Sequence, residues 1–431
     1  MGRHRQLLID MFDCAIKAAD PAAAMARHMP PRPPGRTIVV GAGKAASRMA
    51  SIMEEVWDGP LEGVVVDRHG VRFETRQIKG RCAAHPVPDA DGMRAAQMIL
   101  DAVQGLTRDD LVIALISGGG SALLPAPCEG LDLADEIALN RALLSSGAPI
   151  GAMNVIRTQI SRIKGGRLAE AARPARVVSF IVSDVAGDDP ALVASGPTIA
   201  QKEGAETALD LIARYRIAIP ERLLDVMRTA AEAAPGASAP ESDRDEVHIV
   251  ASAALSLEAA TRHARDHGLA AHILSDSIEG EAYDIGRMHA ALARQVLAKG
   301  QPFRAPLVML SGGETTVSIS GQANGKGGRN SEFLLSFACD IAGSSGIEAL
   351  AADTDGIDGS ETNAGAFADG TTLARLAQKG HNARMLLANH DAWTGFAAIE
   401  DLFVTGPTGT NVNDFRAIII DPIGPTEKAI D

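Results

Sequence analysis

Short, wholly apolar runs alternate with longer stretches in which apolar residues recur every three or four positions. The runs TIVV (37–40), GVVV (63–66), LVIALIS (111–117) and VVSFIVS (177–183) are continuous, which predicts strands covered on both faces. The stretches between them read as amphipathic helices, and such alternation predicts a parallel, doubly wound α/β sheet. Across 231–246 the sequence AEAAPGASAPESDRDE loses periodicity and gathers Pro, Ala, Ser and charge, as an exposed linker does. Beyond it the alternation resumes with VHIVAS, a helix over about 255–267, AHILSD, a long helix over about 281–299, and PLVMLS. Two α/β domains are expected, 1–235 and 236–431.

Composition narrows the class. Hydrophobic residues make up 46% of the 431 positions but aromatics only 3%, so the core must be Ala, Val, Ile and Leu, the usual filling of helix-covered parallel sheets. A net charge of −13 without a long Lys/Arg run argues against nucleic acid and anionic membranes as partners. No apolar run approaches the roughly 18 residues of a membrane span. The four cysteines form no C-x-x-C, so neither zinc nor a disulfide framework is expected. The N-terminus reads as an amphipathic helix, because Asp10 and Asp13 interrupt what would be the apolar part of a signal peptide. A cytoplasmic enzyme, monomer or homodimer, acting on a small molecule is the expectation.

One turn offers two readings. In VVGAGKAA, Gly41, Gly43 and Ala46 fit a G-x-G-x-x-A dinucleotide fingerprint, and Asp67 closes the next apolar run, roughly 20 residues on, where a ribose-binding acid is expected. That reading predicts an NAD enzyme. Lys44, however, falls in the first turn of the predicted helix, where the dipole disfavours a cation unless an anion arrives. No G-x-x-x-x-G-K-[ST] is present, so the turn is not a Walker site.

Three further elements occur twice, in the same order. Ser-Gly-Gly ends a strand at Ser117, Gly118, Gly119, Gly120 and Ser121 and again at Ser311, Gly312 and Gly313; such turns either form anion-binding nests or are plain tight turns. KGGR opens a helix at Lys164–Arg167 and at Lys326–Arg329. Acidic turns follow, with Asp184, Asp188 and Asp189, then Asp353, Asp355 and Asp358. Aspartates at strand ends suit Mg²⁺, whose shell phosphate oxygens and water complete, although each is also a good turn or capping residue. Glu314 is a further candidate ligand. Cations beside glycines at loop–helix junctions match phosphoryl transfer, which relies on positioning and charge neutralisation. His85, in HPVPDADG, is read as structural or substrate-positioning rather than a general base. A binding module that holds phosphorylated sugars without turnover fits the same loops.

Taken together, VVGAGKAA, HPVPD, ISGGGSALLPAP, NVIRTQISRIKGGRLA, SDVAGDDPALVASGPT, LSGGETTV, GKGGRNSEF, ADTDGIDG and VTGPTGTNVND closely resemble the glycerate 2-kinases with a C-terminal MOFRL domain, from about residue 5 to 420. The resemblance implies ATP- and Mg²⁺-dependent phosphorylation of D-glycerate to 2-phosphoglycerate, in a cleft between an N-terminal Rossmann-like domain and the MOFRL domain. It implies that Lys44 and Arg329 are catalytic. Substrate or nucleotide would meet Gly41, Gly43, His85, Ser117 to Ser121, Asn154, Lys164, Arg167, Ser311, Gly312, Gly313, Glu314, Lys326, Gly327, Gly328 and Asn330. Metal would meet Asp184, Asp189, Asp353 and Asp355. The family has also carried a hydroxypyruvate reductase label, and an NAD(P)H-dependent hydroxypyruvate reductase is the alternative.

Overall fold

The computed structural model describes residues 4–233, 242–319 and 325–422. The chain divides into two units, Pro21–Val250, and Met1–Asp20 together with Ala251–Asp431. Half of the expected linker, residues 234–241, lies outside the described residues, as does the expected boundary at 235/236.

The first unit is built on strands β1 (Thr37–Ala42), β2 (Glu62–Arg68), β3 (Lys79–Ala83), β4 (Leu111–Ser117), β5 (Arg176–Val182) and β6 (Glu246–Ala251), in the order β3-β2-β1-β4-β5-β6. The β1 to β5 pairings are all parallel. Every residue of β1 and β4 is buried: Ile38, Val40 and Ala42 join Ala95, Ala96 and Ile99 of helix Ala90–Ala102 in one core, while the intervening Val39 and Gly41 face the other side. That double burial is why the runs are continuous. The strand order reverses between β1 and β4, so the open crevice lies at their carboxyl ends. Lys44 and the Ser117–Gly119 turn follow those ends.

The second unit carries β7 (Ala270–Ser275), β8 (Gly280–Glu281), β9 (Leu307–Ser311), β10 (Thr315–Thr316), β11 (Ile347–Asp353), β12 (Gly365–Asp369), β13 (Leu402–Phe403) and β14 (Asp414–Ile420). Its main sheet, β13-β12-β11-β14-β9-β7, is mixed: only β7 and β9 pair in parallel. Strand β14 lies antiparallel between β9 and β11, so the carboxyl ends of those two strands flank the amino end of β14.

Two elements fall differently from the expected 1–235 and 236–431 division. VHIVAS forms β6 and extends the first sheet. The N-terminal helix Arg5–Ala19 belongs to the second unit, with Phe12 edge-on to Phe403 and Phe415 at ring separations of 5.1 and 5.6 Å. Periodicity reveals an apolar face but not which sheet covers it.

Candidate active site

The GAGK turn is closed on itself. Gly41 lies where a Cβ would come 2.3 Å from the Leu115 carbonyl oxygen, and Gly43, at φ +136°, where one would come 2.1 Å from Ser117 Oγ. The glycines thus let the turn pack on β4. Its amides are occupied within the fold: Gly43 N–H donates to Val66 O (3.1 Å), Lys44 N–H to Gly118 O (2.9 Å), and Ala45 N–H to Ser117 Oγ (3.0 Å). Asp67 is wholly buried and accepts from the Ser47 amide (3.1 Å) and hydroxyl (2.8 Å). This corrects two expectations. Gly41 and Gly43 offer no open amides to a pyrophosphate, and Asp67 secures a helix instead of facing a ribose. The helix itself begins at Ala46, so Lys44 precedes it, and among the described residues its ammonium makes no ion pair.

Around Lys44 the structure gathers His85 and Gly119. A Cβ on Gly119, at φ +80°, would stand 3.0 Å from His85 Nε2 and 3.1 Å from Lys44 Cγ. Burial, with Lys44 and then Arg68 nearby, lowers the His85 pKa to about 4, so its imidazole is neutral near pH 7 and a weak base. Gly118 lies against the Asp184 carboxylate, which a Cβ there would overlap. Gly120 packs on Ala42 O and Ala194. Ser121 Oγ lies 3.0 Å from Ser195 Oγ, which donates to Asn154 Oδ1 at 3.0 Å; Asn154 is buried and donates onward to Leu192 O. Asp189 accepts from the Ala191 amide at 3.0 Å as a turn residue.

The first KGGR departs from expectation. Lys164 is 1% exposed and paired with buried Glu136, and the Arg167 guanidinium donates to the Thr158 and Lys164 carbonyls. Both cations are occupied inside the fold, so neither is presented to a phosphate.

The second KGGR delivers a different arrangement. Arg329 opens helix Arg329–Ile341 and reaches three carboxylates: Nε donates to Asp414 Oδ1 (2.6 Å), Nη1 to Glu314 Oε1 (3.0 Å) and Nη2 to Asp353 Oδ2 (2.6 Å). A guanidinium has five N–H donors, so one on each terminal nitrogen remains for a ligand. Burial works against its charge, but Asp414, Asp353 and Glu314 raise its pKa above the ordinary value. Asp414 Oδ1 also accepts from Asn330 Nδ2 (2.9 Å), and Oδ2 from the Thr315 amide (3.2 Å) and from Arg416, which is fully buried. Asp358, also fully buried, accepts from the Asn330 and Ser331 amides at 2.9 and 2.8 Å. It thereby fills the open N-terminus of the helix.

The neighbouring glycines are framework. Gly312 O accepts from Arg416 Nη1 (3.1 Å), and Gly313 O from the Asp414 amide (3.0 Å). Ser311 Oγ donates to His289 Nε2 at 3.0 Å, since His289 Nδ1 donates to Ile285 O. Gly328 leaves room for the Asp358 backbone and carboxylate, and Gly327 adopts φ +133°. Lys326 is half-exposed, 3.9 Å from Glu361 and 4.9 Å from the Trp393 ring centroid. Asp358, a candidate of the second acidic turn, caps the helix instead. The sequence does not single out Asp414 and Arg416: their only signal is NVNDF, where a lone acid opens a strand without any periodic signature.

Carboxylates outnumber guanidiniums around Arg329. Glu314, Asp353, Asp355 and Asp414 gather about two guanidiniums, and the buried Asn330 Oδ1 has no donor. Burial, then Asp355 and Asp414, push the Asp353 carboxyl up against the pull of Arg329. An oxygen-preferring cation fits that surplus. Among the described residues the group of three His or Asp side chains close enough to share an ion is elsewhere, at His69, Asp89 and Asp91; Asp89 already caps helix Ala90–Ala102 and Asp91 pairs with Arg94.

Two α/β units, one with a lysine at a topological switch point and one with an arginine fixed among carboxylates at strand ends, define an enzyme of the phosphotransferase kind. Residues 7–228 match the family model described as a domain of unknown function (DUF4147), and residues 307–414 match the MOFRL family. The chain is 36% identical to D-glycerate 2-kinase of Thermotoga maritima, covering 95% of this chain and 97% of that one. It is 49% identical to a putative hydroxypyruvate reductase of Agrobacterium vitis, over 96% and 94%. A crystal structure of a Thermotoga maritima glycerate kinase superposes with a TM-score of 0.85 at 35% identity, covering 96% of this chain and 99% of that one. The chain belongs to the MOFRL-containing glycerate kinase family.

Proposed function

We propose that the protein is an ATP-dependent kinase that transfers the γ-phosphoryl group to the 2-hydroxyl of D-glycerate, giving 2-phosphoglycerate and ADP. Arg329 carries the reading. Three carboxylates fix its guanidinium while two N–H donors stay unfilled, as neutralising a moving phosphoryl group requires. Lys44 supplies the second cation, a point charge without a carboxylate partner among the described residues, for a phosphate or the glycerate carboxylate. His85, neutral at its lowered pKa, positions substrate beside Lys44. Mg²⁺ would be held by Asp184, Asp353 or Asp355 and, when bound, neutralises phosphate oxygens. We place the enzyme in the cytoplasm; its four cysteines are free, and no helix among the described residues is long and apolar enough to cross a membrane.

The reductase description of the Agrobacterium vitis relative calls for a dinucleotide site. The buried Asp67 and the occupied amides of the GAGK turn speak against one there. The deciding assay incubates pure protein with D-glycerate, ATP and Mg²⁺ and identifies the product isomer by NMR, with NADH plus hydroxypyruvate in parallel. NADH oxidation without phosphoglycerate would reverse the assignment.

A further inference from the structure

Helix Arg329–Ile341 has more than Arg329 on its functional stripe. Glu332, Ser336, Cys339 and Asp340 follow at helical spacing and line one wall of a cavity of about 750 Å³ within the second unit. Tyr283, Asp284 and Arg287 of helix Ala282–Lys299 form a second wall, and Leu373, Leu387 and Ala388 contribute apolar surface. The volume is within the range of small-ligand sites. One end is bounded by His390, whose Nδ1 lies 2.9 Å from Glu332 Oε1. The glycine-rich stretch that delivers Arg329 touches that end, since a Cβ on Gly325 would come 2.4 Å from the His390 carbonyl oxygen. Arg329 and Cys339 are separated by about 15 Å along the helix axis, comparable to an extended nucleoside triphosphate.

Charge selects the class of ligand. Glu281, Asp284, Glu332 and Asp340 contribute carboxyl groups, against the guanidiniums of Arg287 and Arg384. Glu281 is already bonded to Thr316 and Ser318, and Arg287 lies 3.5 Å from Asp340. A phosphate or carboxylate inside would meet a negative surplus. A neutral body with a flat apolar face and several N–H and O–H donors fits better: acceptors stand ready on Glu332 and Asp284, and the Tyr283 ring is 42% exposed.

We propose that this cavity receives the adenosine moiety of the nucleotide, with its phosphates leading past Gly325–Gly328 to Arg329. The proposal rests on the kinase reading. Cys339 lines the cavity, whereas Cys128 lies in the other unit and serves as control. Labelling by N-ethylmaleimide, followed by mass spectrometry on the full-length protein, is expected to slow at Cys339 by about fivefold or more with saturating ADP or adenosine. D-glycerate should leave Cys339 unchanged, and none of the three should alter Cys128. Ala388→Trp, at an exposed position on the rim, should raise KM for ATP by about tenfold or more while KM for glycerate stays put. Calorimetric ADP binding that leaves both Cys339 labelling and the Ala388→Trp KM for ATP unaffected would overturn the cavity assignment alone. Absence of both nucleotide binding and turnover would overturn the kinase reading and this proposal with it.

Discussion

Arg329 and Asp414, 85 residues apart in the chain, meet at 2.6 Å, with Arg329 Nε donating to Asp414 Oδ1. The helix that Arg329 opens and the strand that Asp414 opens are thereby tied at one point. Asp353 and Glu314, on the strand and turn to either side, complete the hold. The rigid guanidinium that results is suited to meeting charge as it develops.

Arg329→Ala should therefore lower kcat by about a thousandfold or more, with a much smaller change in KM for glycerate. Arg329→Lys should recover little of the loss, because an ammonium cannot reach three carboxylates and still present two donors. Steady-state kinetics, with circular dichroism to verify folding, check both. Near-normal turnover in a folded Arg329→Ala protein removes Arg329 from the chemistry.

Asp414→Ala should cost about 3–5 kcal/mol of stability, because it leaves the fully buried Arg416 guanidinium without its carboxylate. Urea unfolding measures this. Replacing both residues, Asp414→Ala with Arg416→Met, should restore much of the stability but not activity, since Arg329 still loses its anchor.

Lys44→Ala should reduce kcat/KM by about a hundredfold while leaving the melting temperature unchanged. The side chain makes no ion pair among the described residues, so little of the fold depends on it. Gly43→Val is the opposite case: a Cβ 2.1 Å from Ser117 Oγ at φ +136° should prevent folding. A Lys44→Ala enzyme that retains kinase activity would return the turn to a framework role.

Stability should fall as pH drops from about 6.5 to about 4. His289 is fully buried, and burial first, with Arg416 adding to it, lowers its pKa to about 4. The unfolded chain binds that proton near pH 6.5 and the folded one does not until about pH 4, a linkage worth roughly 3 kcal/mol at the acid limit. Urea midpoints across this window should flatten in His289→Gln. An unchanged slope would assign the acid sensitivity to other groups.

Activity should vanish in EDTA and return with Mg²⁺ or Mn²⁺, both oxygen-preferring ions. Asp355→Asn should raise the Mg²⁺ concentration needed for half-maximal rate more than it alters the fold, since only one of its oxygens has a backbone donor, the Ile357 amide at 2.9 Å. Metal-independent turnover would remove the aspartates from that role.

The sequence by itself determined β1, β2, β4 and β5 of the first sheet, because residues buried on both faces must be apolar, and that requirement is local; β3, KGRCA at the sheet edge, carries no such signal. It also marked Lys44, Arg329 and the strand-end aspartates, because glycine beside charge at a strand-to-helix turn is visible in a few residues. Only the tertiary structure decided what the cations of two identical KGGR segments meet. Lys164 meets Glu136 and Arg167 meets carbonyls inside the fold, while Arg329 meets carboxylates at an open edge. The same holds for Asp67, where spacing alone fits a ribose and burial gives a helix cap. It holds as well for the N-terminal helix and VHIVAS, each of which joined the unit opposite to its place in the chain. An apolar face or a charge states that it needs a partner; which partner meets it depends on strand order, and above all on β14 entering between β9 and β11.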